Sequence, residues 1–172
     1  MRAYFLSGPG VDDHRRVRPT EEATGVPRTG SFRYSARARC ELADAVRLLG
    51  DVERQAELHP LIVRVRARPA GPGILRSQLV TDRLNWGPFR FRITYQADTL
   101  RVGPDEVVMV ARQWPRTTVH NHTRLTREPD GLVRVDVEIT LSAPAPLFPY
   151  AFRQARAAHQ TLASRLPAAL EA

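Results

Sequence analysis

From Ser31 onward the chain alternates. In "SFRYSARARC", Phe32, Tyr34, Ala36 and Ala38 fall on one side, with Arg33, Ser35, Arg37 and Arg39 on the other. That period of two marks a half-buried strand. "LIVRVRARP" repeats it, setting Leu61, Val63, Val65 and Ala67 against Arg64, Arg66 and Arg68. Five more strand-like segments follow: "ILRSQLVTDRL", "FRFRITYQADTL", "EVVMVARQW", "TTVHNHTRLT" and "LVRVDVEITL". Turn residues punctuate them at Gly71-Pro72-Gly73, "NWGP", "VGPD" and "EPDG". In "FRFRITYQADTL", Phe89, Phe91, Ile93 and Tyr95 share a face.

Two segments break this period. "ELADAVRLLGDVERQAELHP" reads as two short helices divided near Gly50, with Asp51 capping the second and Pro60 stopping it. Near the end of the chain, a helix is predicted to begin at Phe148 or Pro149, since proline is tolerated in a first turn. Its apolar stripe runs Phe148, Phe152, Ala155, His159, Leu162, Leu166 and Ala169, alternating steps of four and three. Pro167 is expected to bend or fray its end. The element order is strand, two short helices, six strands and a long helix. Consecutive strands joined by tight turns imply an antiparallel meander, and the long helix is the only element large enough to cover one of its faces.

Residues 1–30 show neither period and mix both charges with Pro, Gly and Thr, so they are expected to form a disordered N-terminal tail. The expected domain spans residues 31–172. His14, with Asp12 and Asp13 nearby, reads as solvent-exposed rather than as a metal site.

The turn "EPDG" sets a register. Pro129 and Asp130 suit a type I turn and Gly131 the left-handed residue after it. Counting outward, His122 faces Glu138 and His120 faces Thr140, in a polar row with Arg124–Asp136 and Thr126–Arg134. Leu125–Val135, Thr123–Val137, Asn121–Ile139 and Val119–Leu141 form the covered row. "HNH" therefore reads as a solvated strand face with only Asn121 turned inward. It lacks the hairpin-and-helix metal cage of the nucleases that share those letters, and no metal is predicted.

The length of 172 residues suits one tail and one domain with a real core. All 26 basic residues are arginine, giving a net charge of +8. This skew fits the codon bias of a GC-rich genome and a solvated surface, so a nucleic-acid partner is disfavoured, although an acidic partner would suit the charge. No apolar run reaches the roughly 18 residues of a membrane span, and the opening residues make a poor signal peptide. With Cys40 as the single cysteine, a cytoplasmic location is expected.

The layout resembles the helix-grip order of the START-like superfamily, also called SRPBCC or Bet v 1-like, over residues 31–172. The segments "FRYSARARCELADAVRLLGDVERQAELHPLIVRVR" and "APLFPYAFRQARAAHQTLASRLPAALE" carry the likeness, and the first is similar to the bacterial polyketide cyclase/dehydrase and lipid-transport branch. The resemblance implies an α+β fold: a seven-stranded antiparallel curved sheet wrapped around the C-terminal helix, with two short helices after the first strand and a hydrophobic cavity between sheet and helix. It implies binding of a small hydrophobic ligand (lipid, isoprenoid or polyketide-like), with no cofactor. A polyketide aromatase/cyclase-type enzyme is the alternative, and an arginine-rich interaction module for nucleic acid or a ribosome a third reading.

The expected ligand-binding residues are Tyr34, Phe89, Phe91, Tyr95, Asn121, Thr123, Phe152, Ala155 and His159. Phe32, Leu61, Val63, Ile93, Val135, Val137, Phe148 and Leu162 are further lining candidates. Small residues at Ala151, Ala155 and Ala158 favour a void over a solid core. His159, within an apolar helical stripe, suits either a ligand contact or a core histidine bonded to a tyrosine. His59 suits either a pocket-mouth residue or a helix stop. No catalytic residue is assigned, because no carboxylate falls on the covered face of the strands placed in register.

Overall fold

The computed structural model describes residues 26–172. Residues 1–25, which hold most of the expected tail and His14, lie outside the described residues. The elements run β1 (Arg28–Ala38), α1 (Leu42–Leu49), α2 (Val52–Ala56), β2 (Ile62–Arg68), β3 (Arg76–Trp86), β4 (Phe89–Val102), β5 (Glu106–Gln113), β6 (Thr117–Arg127), β7 (Val133–Ala143) and α3 (Phe148–Leu170).

All strands join one antiparallel sheet in the order β1-β7-β6-β5-β4-β3-β2. Strands β2 to β7 form the meander, while β1 lies at the opposite edge from β2, next to β7. The α1–α2 pair links these edges. Asp51 caps α2 by accepting the Glu53 N–H at 2.9 Å. The sheet curves around α3 in the helix-grip arrangement.

The expected β6–β7 register holds at every pair, including His122 with Glu138 and Asn121 with Ile139. Gly131 supplies the turn's left-handed residue at φ +81°. On β7, alternation buries Val133, Val135, Val137, Ile139 and Leu141 almost completely. Leu162 and Leu166 of α3 are 1% and 0% exposed. Burying each such side chain contributes about 1.5–3 kcal/mol.

Three expectations need correction. The strand assigned from residue 31 begins at Arg28, because Arg28, Thr29 and Gly30 pair with Ala143, Ser142 and Leu141. A Cβ on Gly30 would lie 2.8 Å from Phe148 Cζ and 3.0 Å from Phe152 Cε2, so glycine lets the helix aromatics approach the strand closely. Those residues lack an apolar period, and their pairing comes from β7 far along the chain. Next, Val63 turns outward and is 42% exposed. A register shift between Ile62 and Arg64 inserts one residue in β2, so Ile62 takes the inward place. Finally, α3 runs through Pro167 to Leu170. Leu166 and Leu170 pack on the core, and this packing outweighs a hydrogen bond lost near a helix end.

Candidate functional site

Helix α3 packs chiefly on β1, with less contact on β7. On that side the interior is filled. Phe152 meets Phe32 edge-on at 5.6 Å between centroids and stacks on Phe148 at 5.3 Å. The other flank of α3 presents Ala151, Ala155 and Ala158 to strands β3 to β6. These side chains are too short to reach the sheet, and a cavity of about 410 Å³ remains between.

The sheet side of the cavity is made by Val80, Asp82 and Leu84 of β3, Phe91, Ile93, Tyr95 and Ala97 of β4, Met109 and Ala111 of β5, and Val119 and Asn121 of β6. Gln55, His59, Leu61 and Ile62 close one end. Trp114 lines the space yet is 88% exposed, so the β5–β6 turn that carries it stands at the opening. Tyr150, near the start of α3, also lines the cavity and donates its hydroxyl to the Asn85 carbonyl at 2.9 Å.

Five of the expected contact residues line this space: Phe91, Tyr95, Asn121, Ala155 and His159. Leu61 and Ile93 join them. Phe89 begins β4 and is 72% exposed, beyond the cavity. Tyr34 lies behind His159, sharing a 3.3 Å hydrogen bond between its hydroxyl and His159 Nδ1. Phe152 belongs to the aromatic stack. Thr123 is buried and donates its hydroxyl to Asn121 Oδ1 at 2.9 Å, which orients the amide rather than lining the cavity. Tyr34, Phe152 and Thr123 thus form the layer behind the cavity wall.

The charged group of the wall is Asp82, only 7% exposed. Its register partners are Ile62 and Ile93, and Val80 and Leu84 flank it along its own face. Within this apolar frame the Tyr95 hydroxyl donates to its carboxylate at 3.3 Å to each oxygen. Burial raises its pKa from 3.8 to about 6, and the Tyr95 bond opposes part of that rise. Burial, reinforced by the Asp82 charge and the shared bond, pushes the Tyr95 hydroxyl well above its usual range.

Asp82 lies on β3, outside the strands that the sequence places in register, so the absence of a carboxylate expected on the covered row of β6 and β7 did not extend to it. Its spacing with Val80 and Leu84 was the available signal. Leu79 beside Val80 left the inward face of that strand undecided until β4 fixed it. Gln55, Gln113, Trp114 and Tyr150 were also unassigned, because they sit at element ends where no period points inward.

The two interior histidines meet edge-on, with 5.6 Å between ring centroids. Burial lowers His59 to about 4, and burial together with the neighbouring His59 lowers His159 to about 3. Both are neutral near pH 7. His59 Nδ1 is buried without a hydrogen-bond partner among the described residues.

On the outer face, His122 Nε2 lies 2.6 Å from Glu106 Oε1, while Glu138 pairs with Arg33 at 2.8 Å. Hydrogen bonds from Arg101 and His122 lower the Glu106 carboxyl. His120 is exposed. Among the described residues no three His, Cys, Asp or Glu side chains are grouped to hold a metal ion. Replacing His120 and His122 together with Gln is expected to change stability by less than about 0.5 kcal/mol, as for surface substitutions generally. Urea unfolding measures this, and a larger loss would mean the histidines hold the sheet together.

Neither a family model nor a curated protein matches the sequence. Solved structures do. The di-domain ARO/CYC StfQ from the steffimycin biosynthetic pathway aligns at a TM-score of 0.66 and 16% identity, over 83% of this chain and 51% of that one. The di-domain ARO/CYC BexL from the BE-7585A biosynthetic pathway aligns at 0.64 and 17% identity, over 84% and 50%. A START superfamily protein from Mycobacterium smegmatis aligns at 0.65 and 8% identity, over 81% and 96%. The chain thus has the helix-grip fold that these structures share. It spans about half the length of the two di-domain proteins. No helix among the described residues is long and apolar enough to cross a membrane.

Proposed function

We propose that this protein binds a small, mainly apolar ligand, of lipid, isoprenoid or polyketide-like character, between α3 and strands β3 to β6. The observation that carries this reading is the cavity of about 410 Å³ set beside the packed contact of α3 with β1. Small-ligand sites are concave, largely apolar and of roughly 300–1,000 Å³, with a few polar points. Asp82, Asn121 and His159 are among the polar points here. A domain of this kind acts in the cytoplasm, in keeping with its single cysteine.

The uncharged fluorophore N-phenylnaphthylamine tests the reading. It is expected to bind saturably at equimolar ratio with a blue-shifted emission. Native mass spectrometry of protein from its own host would then reveal the resident ligand by mass. Failure of both, with no probe bound and no co-purified molecule, would remove the ligand-binding reading.

A second reading, an aromatase/cyclase-type enzyme acting on a polyketide-like chain, is favoured by the Asp82–Tyr95 pair. A buried carboxylate held near 6 is poised to take a proton from an enolisable carbon near neutral pH. The resemblance to two ARO/CYC structures supports this reading.

A further inference from the structure

We propose that the cavity selects an apolar ligand bearing a hydrogen-bond donor, a hydroxyl or an amine that donates to Asp82, and rejects anionic amphiphiles such as fatty acids and phosphate esters. This rests on the ligand-binding reading above and narrows it to a chemical class.

The first support is the distribution of charge. The chain carries 26 arginines and no lysine, yet none of the arginines among the described residues lines the cavity. Strand alternation explains this. Arg83 follows Asp82, and Arg90 and Arg92 flank Phe91, so each points to the face opposite its inward neighbour. The exterior is cationic, while the interior holds one carboxylate, neutral imidazoles and amides. A carboxylate or phosphate head entering this space would leave its water shell without meeting a cation, and it would face Asp82. Burying an unpaired charge costs far more than burying a neutral group.

The second support is the incomplete satisfaction of Asp82. An ionised carboxylate offers about four acceptor sites. Asp82 is 7% exposed and receives one hydroxyl, that of Tyr95, shared between its two oxygens at 3.3 Å. Its remaining acceptor capacity lies in a wall of Ile62, Ile93, Val80 and Leu84. A ligand hydroxyl or ammonium supplies the missing donor, and the apolar frame takes the rest of the ligand. Such a bond between a charged group and a donor in an apolar setting is stronger than its neutral counterpart.

A matched ligand set reads the proposal near neutral pH: naphthalene, naphthol, naphthylmethylamine and naphthoate, each displacing N-phenylnaphthylamine. Naphthol or naphthylmethylamine is expected to bind about tenfold to a hundredfold tighter than naphthoate, the range of one hydrogen bond to a charged group. The ratio of the hydroxyl and ammonium ligands shows which donor the site prefers. In Asp82→Asn the preference over naphthoate is expected to shrink by about tenfold or more, because the repelling charge is gone while the shape is kept.

Naphthoate binding as tightly as naphthol to the native protein would overturn the proposal, and this comparison needs no variant. Unchanged discrimination in a folded Asp82→Asn protein would also overturn it. If no member of the set binds and the probe itself is not taken up, the ligand-binding reading falls instead, so the two failures are distinct.

Discussion

Ala155→Trp is expected to abolish uptake of an apolar probe while the protein still folds. Ala155 lies on the flank of α3 that faces the cavity, and its neighbours Ala151 and Ala158 are equally short. The space beneath them, about 410 Å³, accommodates an indole without moving the sheet. Probe affinity should drop by about a hundredfold or more, equivalent to about 2.7 kcal/mol, with a melting temperature close to that of the native protein. A filled interior would respond differently. Forcing that bulk into a close-packed core costs about 1–3 kcal/mol. Parallel melting and titration separate the outcomes: a badly destabilised variant, from a parent that takes up no probe, would mean that the interior is solid.

Acidification is expected to destabilise the fold, with His59 and His159 as the main interior cause. Burial holds His59 at about 4 and His159 at about 3 when folded, against 6.5 in the unfolded chain. Between about pH 6.5 and 4 the unfolded chain accepts protons that the folded protein refuses, so stability falls as pH falls. Asp82 acts in the opposite sense. Its folded value of about 6 against 3.8 means the folded state gains a proton first as pH drops through that window, which adds stability on acidification. Two histidines against one carboxylate leave a net loss of about 1.4 kcal/mol per pH unit across the window. Urea midpoints at about pH 7 and about pH 4.5 measure it. In the variant carrying His59→Gln and His159→Gln only the opposing Asp82 contribution remains, so the slope is expected to reverse, with stability rising slightly on acidification. If native and variant proteins show the same slope, the histidines are not held neutral by the fold.

The sequence by itself determined the elements and their order. Strict alternation in β1 and β7, the turn chemistry at Pro129-Asp130-Gly131 and the four-and-three stripe of α3 are local signals, each readable within a single element or turn. Where such a signal spans both partners, as in the β6–β7 hairpin, it also carried the register and turned Asn121 inward while His120 and His122 faced solvent. Tertiary structure decided what these elements enclose. Nothing local places β1 beside β7, since that pairing joins residues about a hundred positions apart, and it alone recruits Arg28 to Gly30 into the strand. The bulge at Val63 arises from pairing with β3, so Ile62 rather than Val63 faces inward. The lateral placement of α3 was the largest decision of this kind. By packing on β1, the helix filled the space beside Phe32, Tyr34 and Val137 and left the void over β3 to β6. An apolar stripe records that a helix face is buried, but not which of its two flanks meets a partner. For the same reason Asp82 became a cavity residue only when β4 paired with β3: its spacing with Val80 and Leu84 points inward, but Leu79 beside Val80 leaves that face undecided until the neighbouring strand defines which side is inside.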